Sequence, residues 1–225
     1  MKYDKIILDF DDTLWSRDES RESESIENVR LLNSVFGSSA VIVSGNSYSS
    51  IRSKLLKCYR TLDNFNIDIW ADANFALYRK DKREFFIDRL SIKNSSELIV
   101  SFLKDKYDLS CTLLGYPEVS NIKIKPLNNL ERSILVDLLN EYVFKYLHID
   151  DCMAVATGKT TVDIVSIYNN KLAVLDFIRG DKCLYLGDEV TSGNDREIAE
   201  ACYNSICISD ISETRLILEL LGEQL

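Results

Sequence analysis

Three short segments restrict what this chain can fold into: "KIILD" (5–9), "AVIVS" (40–44) and "CLYLGD" (183–188). Each is an apolar run that ends in a carboxylate or a hydroxyl. Their centres do not alternate apolar with polar residues, so both faces of each strand are buried, as in a parallel sheet covered by helices on both sides. "ICIS" (206–209) reads as a fourth strand. Amphipathic helices lie between them. Ile26, Val29, Leu31, Leu32 and Val35 mark one, and Ile51, Leu55, Leu56 and Tyr59 a second, capped near Asn46 or Ser47. "SETRLILELL" (212–221) closes the chain as a helix. The pattern predicts an α/β fold with a doubly wound, Rossmann-like parallel sheet.

The middle of the chain follows another rule. "FALYR" (75–79), "EFFID" (84–88), "CTLLG" (111–115), "NIKIK" (121–125), "MAVAT" (153–157) and "TVDIV" (161–165) read as strands, several alternating apolar with polar as a half-exposed antiparallel sheet does. Two helices interrupt them. One begins at Asn94 with Glu97 as its capping-box partner, the other at Asn128 with Glu131. The second runs to about Leu147, with Leu130, Ile134, Leu135, Leu138, Leu139 and Tyr142 on one core-facing stripe. These features predict a core of residues 1–70 and 166–225 interrupted by an inserted α+β module, 71–165.

Composition narrows the function. With 46% hydrophobic residues among 225, a sizeable core is available. The net charge of −9 and the lack of a basic run argue against nucleic acid or an anionic membrane as partner. No run is apolar enough to span a bilayer and residues 1–20 hold no apolar signal segment, so a cytoplasmic protein, monomer or homodimer, is expected. None of the six cysteines forms a CxxC pair, and they read as reduced thiols. The one histidine, His148, reads as a packing or capping residue, which argues against histidine-based catalysis. "ATGKTT" (156–161) is not a phosphate-binding P-loop, because the glycine required five residues before Gly158 is Met153.

The chemistry lies at the strand tips. In "IILDFDDTLW" (6–15) an apolar run enters Asp9, Asp11 and Asp12. A parallel strand delivers its last residues to the ligand-binding edge of the sheet, and residues two apart on extended chain point the same way, so Asp9 and Asp11 can face one pocket. Two close carboxylates repel unless a cation lies between them, and Mg2+ suits oxygen ligands. One carboxylate as nucleophile and the other as proton carrier would make a catalytic pair. The alternative is an acidic turn or cap. A second cluster follows in "LYLGDEVTSGNDREIAE" (184–200), where Asn194 or Asp195 can equally be a helix N-cap. Two acidic strand tips in one α/β domain favour the metal–carboxylate reading.

Together these motifs resemble the haloacid dehalogenase superfamily. Asp9-Phe10-Asp11-Asp12-Thr13 is similar to its DxDx[TV] signature, "VIVSGN" (41–46) to its second motif with Ser44, "GDEVTSGND" (187–195) to its fourth with Asp188 and Asp195, and Lys171 falls where its third-motif lysine is expected. The inserted module sits where the branch with a large α+β cap carries it: Cof-type sugar phosphatases, sucrose- and trehalose-phosphate phosphatases, and phosphomannomutases. "ADANFALY" (71–78) resembles the entry to such caps, and "TGKTTVDIVSIYNNK" (157–171) the segment leading out.

The resemblance implies a Mg2+-dependent phosphatase acting on a small phosphorylated substrate, a sugar phosphate. Asp9 would be the nucleophile and Asp11 the acid and base. Mg2+ would be held by Asp9, the backbone carbonyl of Asp11 and Asp188, with Asp195 further out. Ser44, Gly45 and Lys171 would cradle the phosphate. Thr161 and Asp163 would bind substrate hydroxyls, and Lys123, Lys125 or Lys159 an anionic part; the plain alternative for the lysines is a solvated surface. The chain departs from the family pattern at Asp12, where glycine is common and an outward-turned side chain is expected, and at Asn46, where arginine is common in Cof-type members and one cation near the pocket is removed. The alternatives are a phosphomutase, which would grip a distal phosphate, and a catalytically idle binding module.

Overall fold

The computed structural model describes residues 3–71, 76–86, 92–109, 111–115, 122–126, 132–149, 152–157, 161–166, 171–178, 182–191 and 195–223. They form two compact units, 1–87 with 170–225, and 88–169. Strands of the first unit are β1 (Lys5–Asp9), β2 (Ala40–Val43), β3 (Asp68–Ala71), β4 (Ala76–Arg79) and β5 (Lys82–Phe86). The second unit holds β6 (Cys111–Gly115), β7 (Ile122–Pro126), β8 (Cys152–Thr157) and β9 (Thr161–Ser166). The chain then returns to the first unit with β10 (Cys183–Gly187) and β11 (Asn204–Cys207). The large sheet has the order β11-β10-β1-β2-β3-β4-β5, parallel from β11 to β3 and antiparallel across β4 and β5.

Strand parity sorts the core of this unit into two layers. Ile6, Leu8 and Ile42 pack against Val29 and Leu32 of α1 (Glu22–Val35), Ile51 and Leu55 of α2 (Tyr48–Cys58) and Leu218 of the C-terminal helix, Ile211–Gly222. Ile7, Val41, Val43 and Tyr185 face the other way, onto Val174 of a 3-10 helix (Lys171–Asp176) and Ile198 and Ala199 of the short helix Arg196–Ala201. Helices therefore cover both faces, as the apolar runs require. Ser47 caps α2 by accepting from the Ser50 N–H, and Asp210 caps the last helix by accepting from Ser212. Strand β3 was not marked in the sequence, although "DIWA" is as apolar as its neighbours.

In the second unit, β6-β7-β9-β8 form an antiparallel sheet, joined by α3 (Ile92–Tyr107) and α4 (Arg132–Leu138). Helix α4 continues through a π-helical turn (Leu139–Val143) into α5 (Phe144–Tyr146). This turn overturns part of the expected stripe. Leu135, Leu139 and Val143 are buried at a spacing of four, whereas Ile134 is 51% and Tyr142 64% exposed. The wider π turn keeps Leu139 and Val143 in line and turns Tyr142 outward, while Ile134, in the α-helical stretch before it, points about 100° away from Leu135. The short helices after β10 are numbered α6 (Arg196–Ala201) and α7 (Ile211–Gly222).

The boundaries also differ from the expected 71–165. Strands β4 and β5 extend the large sheet by pairing with β3, and the compact second unit runs from 88 to 169. A hairpin on a sheet edge alternates apolar with polar just as a separate antiparallel sheet does, so the pattern alone does not separate the two. The capping residues Asn128 and Glu131 lie outside the described residues, as do Lys159, Gly193, Asn194 and part of "ADANFALY". His148 ends the α5 segment with a φ of 54°, a helix-terminating conformation in keeping with a capping role.

Candidate active site

The sheet register brings the acidic tips together. Leu8 pairs with Leu186 of β10 and Asp9 with Val43 of β2, so Asp9, Ser44 and Asp188 leave adjacent strands at one edge. Asp9 shares its parity with Ile7 and points to the layer that supplies Lys171 and Asp195. Asp9 is only 8% exposed, and its Oδ1 accepts from Lys171 Nζ at 2.5 Å. The same ammonium donates to Asp195 Oδ1. Lys171 and Asp195 are 3% and 1% exposed. Oxygens of Asp9, Asp188 and Asp195 lie within 4.8 Å of one another.

This cluster is short of positive charge. Burial pushes the Asp9 carboxyl up to about 7, with Lys171 opposing the rise and Asp195 adding to it. Burial also raises Asp188, and Asp195 adds to that. Burial by itself would lower Lys171, but the charges of Asp9 and Asp195 hold it above the usual lysine range. One ammonium against three carboxylates leaves two negative charges. Asp195 Oδ2 and the Tyr185 hydroxyl are buried without a hydrogen-bond partner among the described residues. Burial, then the charges of Asp9 and Asp195, keeps the phenol neutral. An all-oxygen donor set lacking two charges fits a hard divalent cation. Asp195, expected further out than Asp188, has an oxygen in this group while its Oδ1 also accepts from Lys171.

Asp11 does not join it. Strand β1 ends at Asp9, and residues 10–15 close a tight loop in which Leu14 and Trp15 N–H donate to the Phe10 carbonyl at 3.0 and 2.8 Å. The two-residue rule therefore stops applying after Asp9. Asp11 Oδ1 accepts from Lys54 Nζ at 2.8 Å, and Oδ2 from the Asn46 side-chain amide. The cation expected to be lost at position 46 is thus supplied from α2 by Lys54. Lys54 gave no sequence signal, because it sits between the core positions Ile51 and Leu55 and reads as an ordinary exposed helix lysine. Asp12 adopts φ 58° and turns outward as expected, where it accepts from the Arg17 N–H at 3.1 Å and pairs with its guanidinium.

Ser44 is 2% exposed, and its Oγ accepts from the Asn46 N–H at 3.1 Å. A Cβ built on Gly45 would meet nothing within 4 Å, so there is open space beside Ser44. Gly187 is the reverse: its Cβ would lie 2.5 Å from Asp195 Oδ2 and 2.7 Å from the Tyr185 ring. The remaining candidates belong to the second unit. Lys123 and Lys125 are on β7 and Thr161 and Asp163 on β9, and Lys123 is paired in register with Asp163.

No family model matches the chain, and no curated protein matches it. Solved structures do. IMP-bound IMP-nucleotidase of Plasmodium falciparum is 18% identical, with a TM-score of 0.60 over 99% of this chain and 69% of that one. Trehalose-6-phosphate phosphatase of Aspergillus fumigatus is 13% identical, with a TM-score of 0.63 over 100% and 94%. The C-terminal domain of the C. albicans trehalose-6-phosphate phosphatase is 14% identical, with a TM-score of 0.65 over 98% and 93%. At these identities the likeness is one of fold alone. Among the described residues no helix is long and apolar enough to cross a membrane.

Proposed function

We propose that this protein is a Mg2+-dependent phosphatase that hydrolyses a small phosphorylated metabolite, a sugar phosphate, through a phosphoryl group carried on Asp9. The observation behind this reading is the buried Lys171 ammonium shared by Asp9 and Asp195 at the carboxyl edge of a parallel sheet, with Asp188 within 4.8 Å. The similar structures of an IMP-nucleotidase and a trehalose-6-phosphate phosphatase are consistent with it.

The roles follow from the residues. Asp9 attacks phosphorus, and its ionised form is supported by Lys171. Asp11 gives a proton to the departing oxygen and then takes one from the water that releases phosphate. Ser44, the Gly45 backbone and Lys171 hold the phosphoryl oxygens. Asp9, Asp188 and Asp195, with the carbonyl of Asp11, would hold Mg2+, which when bound screens the charge that otherwise keeps a carboxylate from a phosphate dianion. Thr161 and Asp163 would bind sugar hydroxyls, and Lys123 and Lys125 an anionic part. Phosphate release from a panel of phosphorylated metabolites, with Mg2+ and with EDTA, tests this. Release that needs Mg2+ and favours sugar phosphates is expected; full activity in EDTA, or none on any ester, rejects it.

A further inference from the structure

The loop that carries Asp11 would leave a carboxylate free to rotate, yet this one is held on both oxygens, by Lys54 from α2 and by Asn46. The Lys54 ammonium is itself fixed. It lies 5.2 Å from the centroid of the Phe10 ring and 5.9 Å from that of Trp15, and both rings are buried and stacked. Helix α2, which carries it, is anchored by buried Ile51 and Leu55. On its outer side Arg52 clamps Asp81 at 2.6 and 2.8 Å, and the Tyr48 hydroxyl donates to the same carboxylate at 2.8 Å. The grip on Asp11 therefore comes from a rigid element and crosses 43 positions of sequence.

We propose that Lys54 is a positioning residue, which fixes the Asp11 carboxylate in the orientation for proton transfer to and from the substrate oxygen. The inference rests on the phosphatase reading of the site. A proton donor must lie within about 2.6–3.2 Å of the oxygen it serves, and a misplacement of about 1 Å can lower the rate by about 10²-fold. Asn46 alone cannot supply this restraint, since a single amide bond to Oδ2 leaves the carboxylate free to swing about that contact. The competing role is a purely structural tie between α2 and the loop at 10–15. The two differ in what they do to chemistry. A positioning role affects esters that need protonation at the leaving oxygen, and it disappears when Asp11 has no proton to give.

The test compares K54M, which keeps the stem over Phe10 and Trp15 but removes the charge, with K54R, D11N and the K54M/D11N double variant. Each is assayed on an alkyl phosphate and on an aryl phosphate with a good leaving group, with thermal unfolding in parallel. K54M is expected to lower kcat on the alkyl ester by about 10–100-fold and on the aryl ester by less than about threefold, no more than the lower end of the ~10²–10⁴-fold that acid–base help supplies in full. K54R should recover most of the loss, and in the D11N background K54M should add less than about twofold, because neighbours in one network do not act additively. Equal losses on both esters, or full additivity with D11N, overturns the positioning role while leaving the phosphatase reading in place. An unmodified chain that hydrolyses neither ester removes that reading and the inference together.

Discussion

Lys171 donates to Asp9 at 2.5 Å across 162 positions of sequence, and the same ammonium reaches Asp195. A cation only 3% exposed between two acids is a single unit, and removing it strands buried charge. Lys171→Met should therefore destabilise the metal-free protein by about 3–5 kcal/mol, the range for breaking a buried pair from one side. Mg2+ should return part of that stability by replacing the lost charge, while turnover stays at background. Urea unfolding with and without Mg2+ checks this, and a stability unchanged by Lys171→Met contradicts it.

Metal binding should be linked to a proton. Asp9 is raised by burial to about 7, against an ordinary value of 3.8. Between those values the folded, metal-free protein keeps a proton that the unfolded chain has released. This group's contribution to stability is therefore full below about pH 4 and lost as pH rises through about 7. A cation needs the ionised carboxylate, so its apparent affinity should climb with pH and level off above about 7. Calorimetry in two buffers of different ionisation enthalpy should show proton release on Mg2+ binding at about pH 6 and little at about pH 8. Release that does not change between them counts against the raised Asp9.

Much of this site is legible in the sequence, for a physical reason. Asp9, Ser44 and Asp188 end strands whose apolar runs are continuous, and the register of a parallel sheet puts such ends side by side. Lys171 and Asp195 follow only by resemblance, because nothing local ties a lysine before β10 to an aspartate after it. Lys54 was invisible, since a helix position reveals its partner only once the helix is docked. Asp11 lies beyond the reach of the alternation rule, which is a property of extended chain, because the strand stops two residues before it. Tyr142 departs from the expected stripe because the helix turns π-helical there, and Ile134 because adjacent positions of an α-helix point about 100° apart and Leu135 takes the core side.

Asp9 and Asp11 should respond differently to the same substitution. Asp9→Asn removes the nucleophile and one charge of the metal group, so both turnover and Mg2+ binding should fall to background. Asp11→Asn keeps the shape: its oxygen can still face Lys54, and its NH2 can face Asn46 if that amide turns over. What is lost is proton transfer, about 10²–10⁴ in rate. The loss should be smaller on an aryl phosphate, which leaves without protonation, and Mg2+ affinity should be preserved. If Asp11→Asn abolishes Mg2+ binding and slows both esters equally, Asp11 is a side-chain ligand and its acid–base role is wrong.

Two glycines at the tips of the strands that flank β1 should give opposite results when changed to alanine. At Gly187 the new methyl meets Asp195 Oδ2 at 2.5 Å and the Tyr185 ring at 2.7 Å, both in the buried layer. Neither can retreat without disturbing the carboxylate group, so Gly187→Ala should lower stability by about 1–3 kcal/mol, as overpacking does, and weaken Mg2+ binding. At Gly45 the methyl meets nothing within 4 Å, and the backbone is not in the left-handed region. Gly45→Ala should therefore leave the fold intact, or stabilise it by about 0.4–1 kcal/mol through the unfolded chain. The open space beside Ser44 is where the proposed phosphoryl group would sit, so the same substitution should raise KM for a phosphate ester and weaken inhibition by inorganic phosphate, by about tenfold for a steric loss of about 1.4 kcal/mol. Thermal unfolding and steady-state kinetics on the two variants separate these effects. A Gly45→Ala protein that is more stable and binds phosphate as before would place the phosphate elsewhere at the sheet edge.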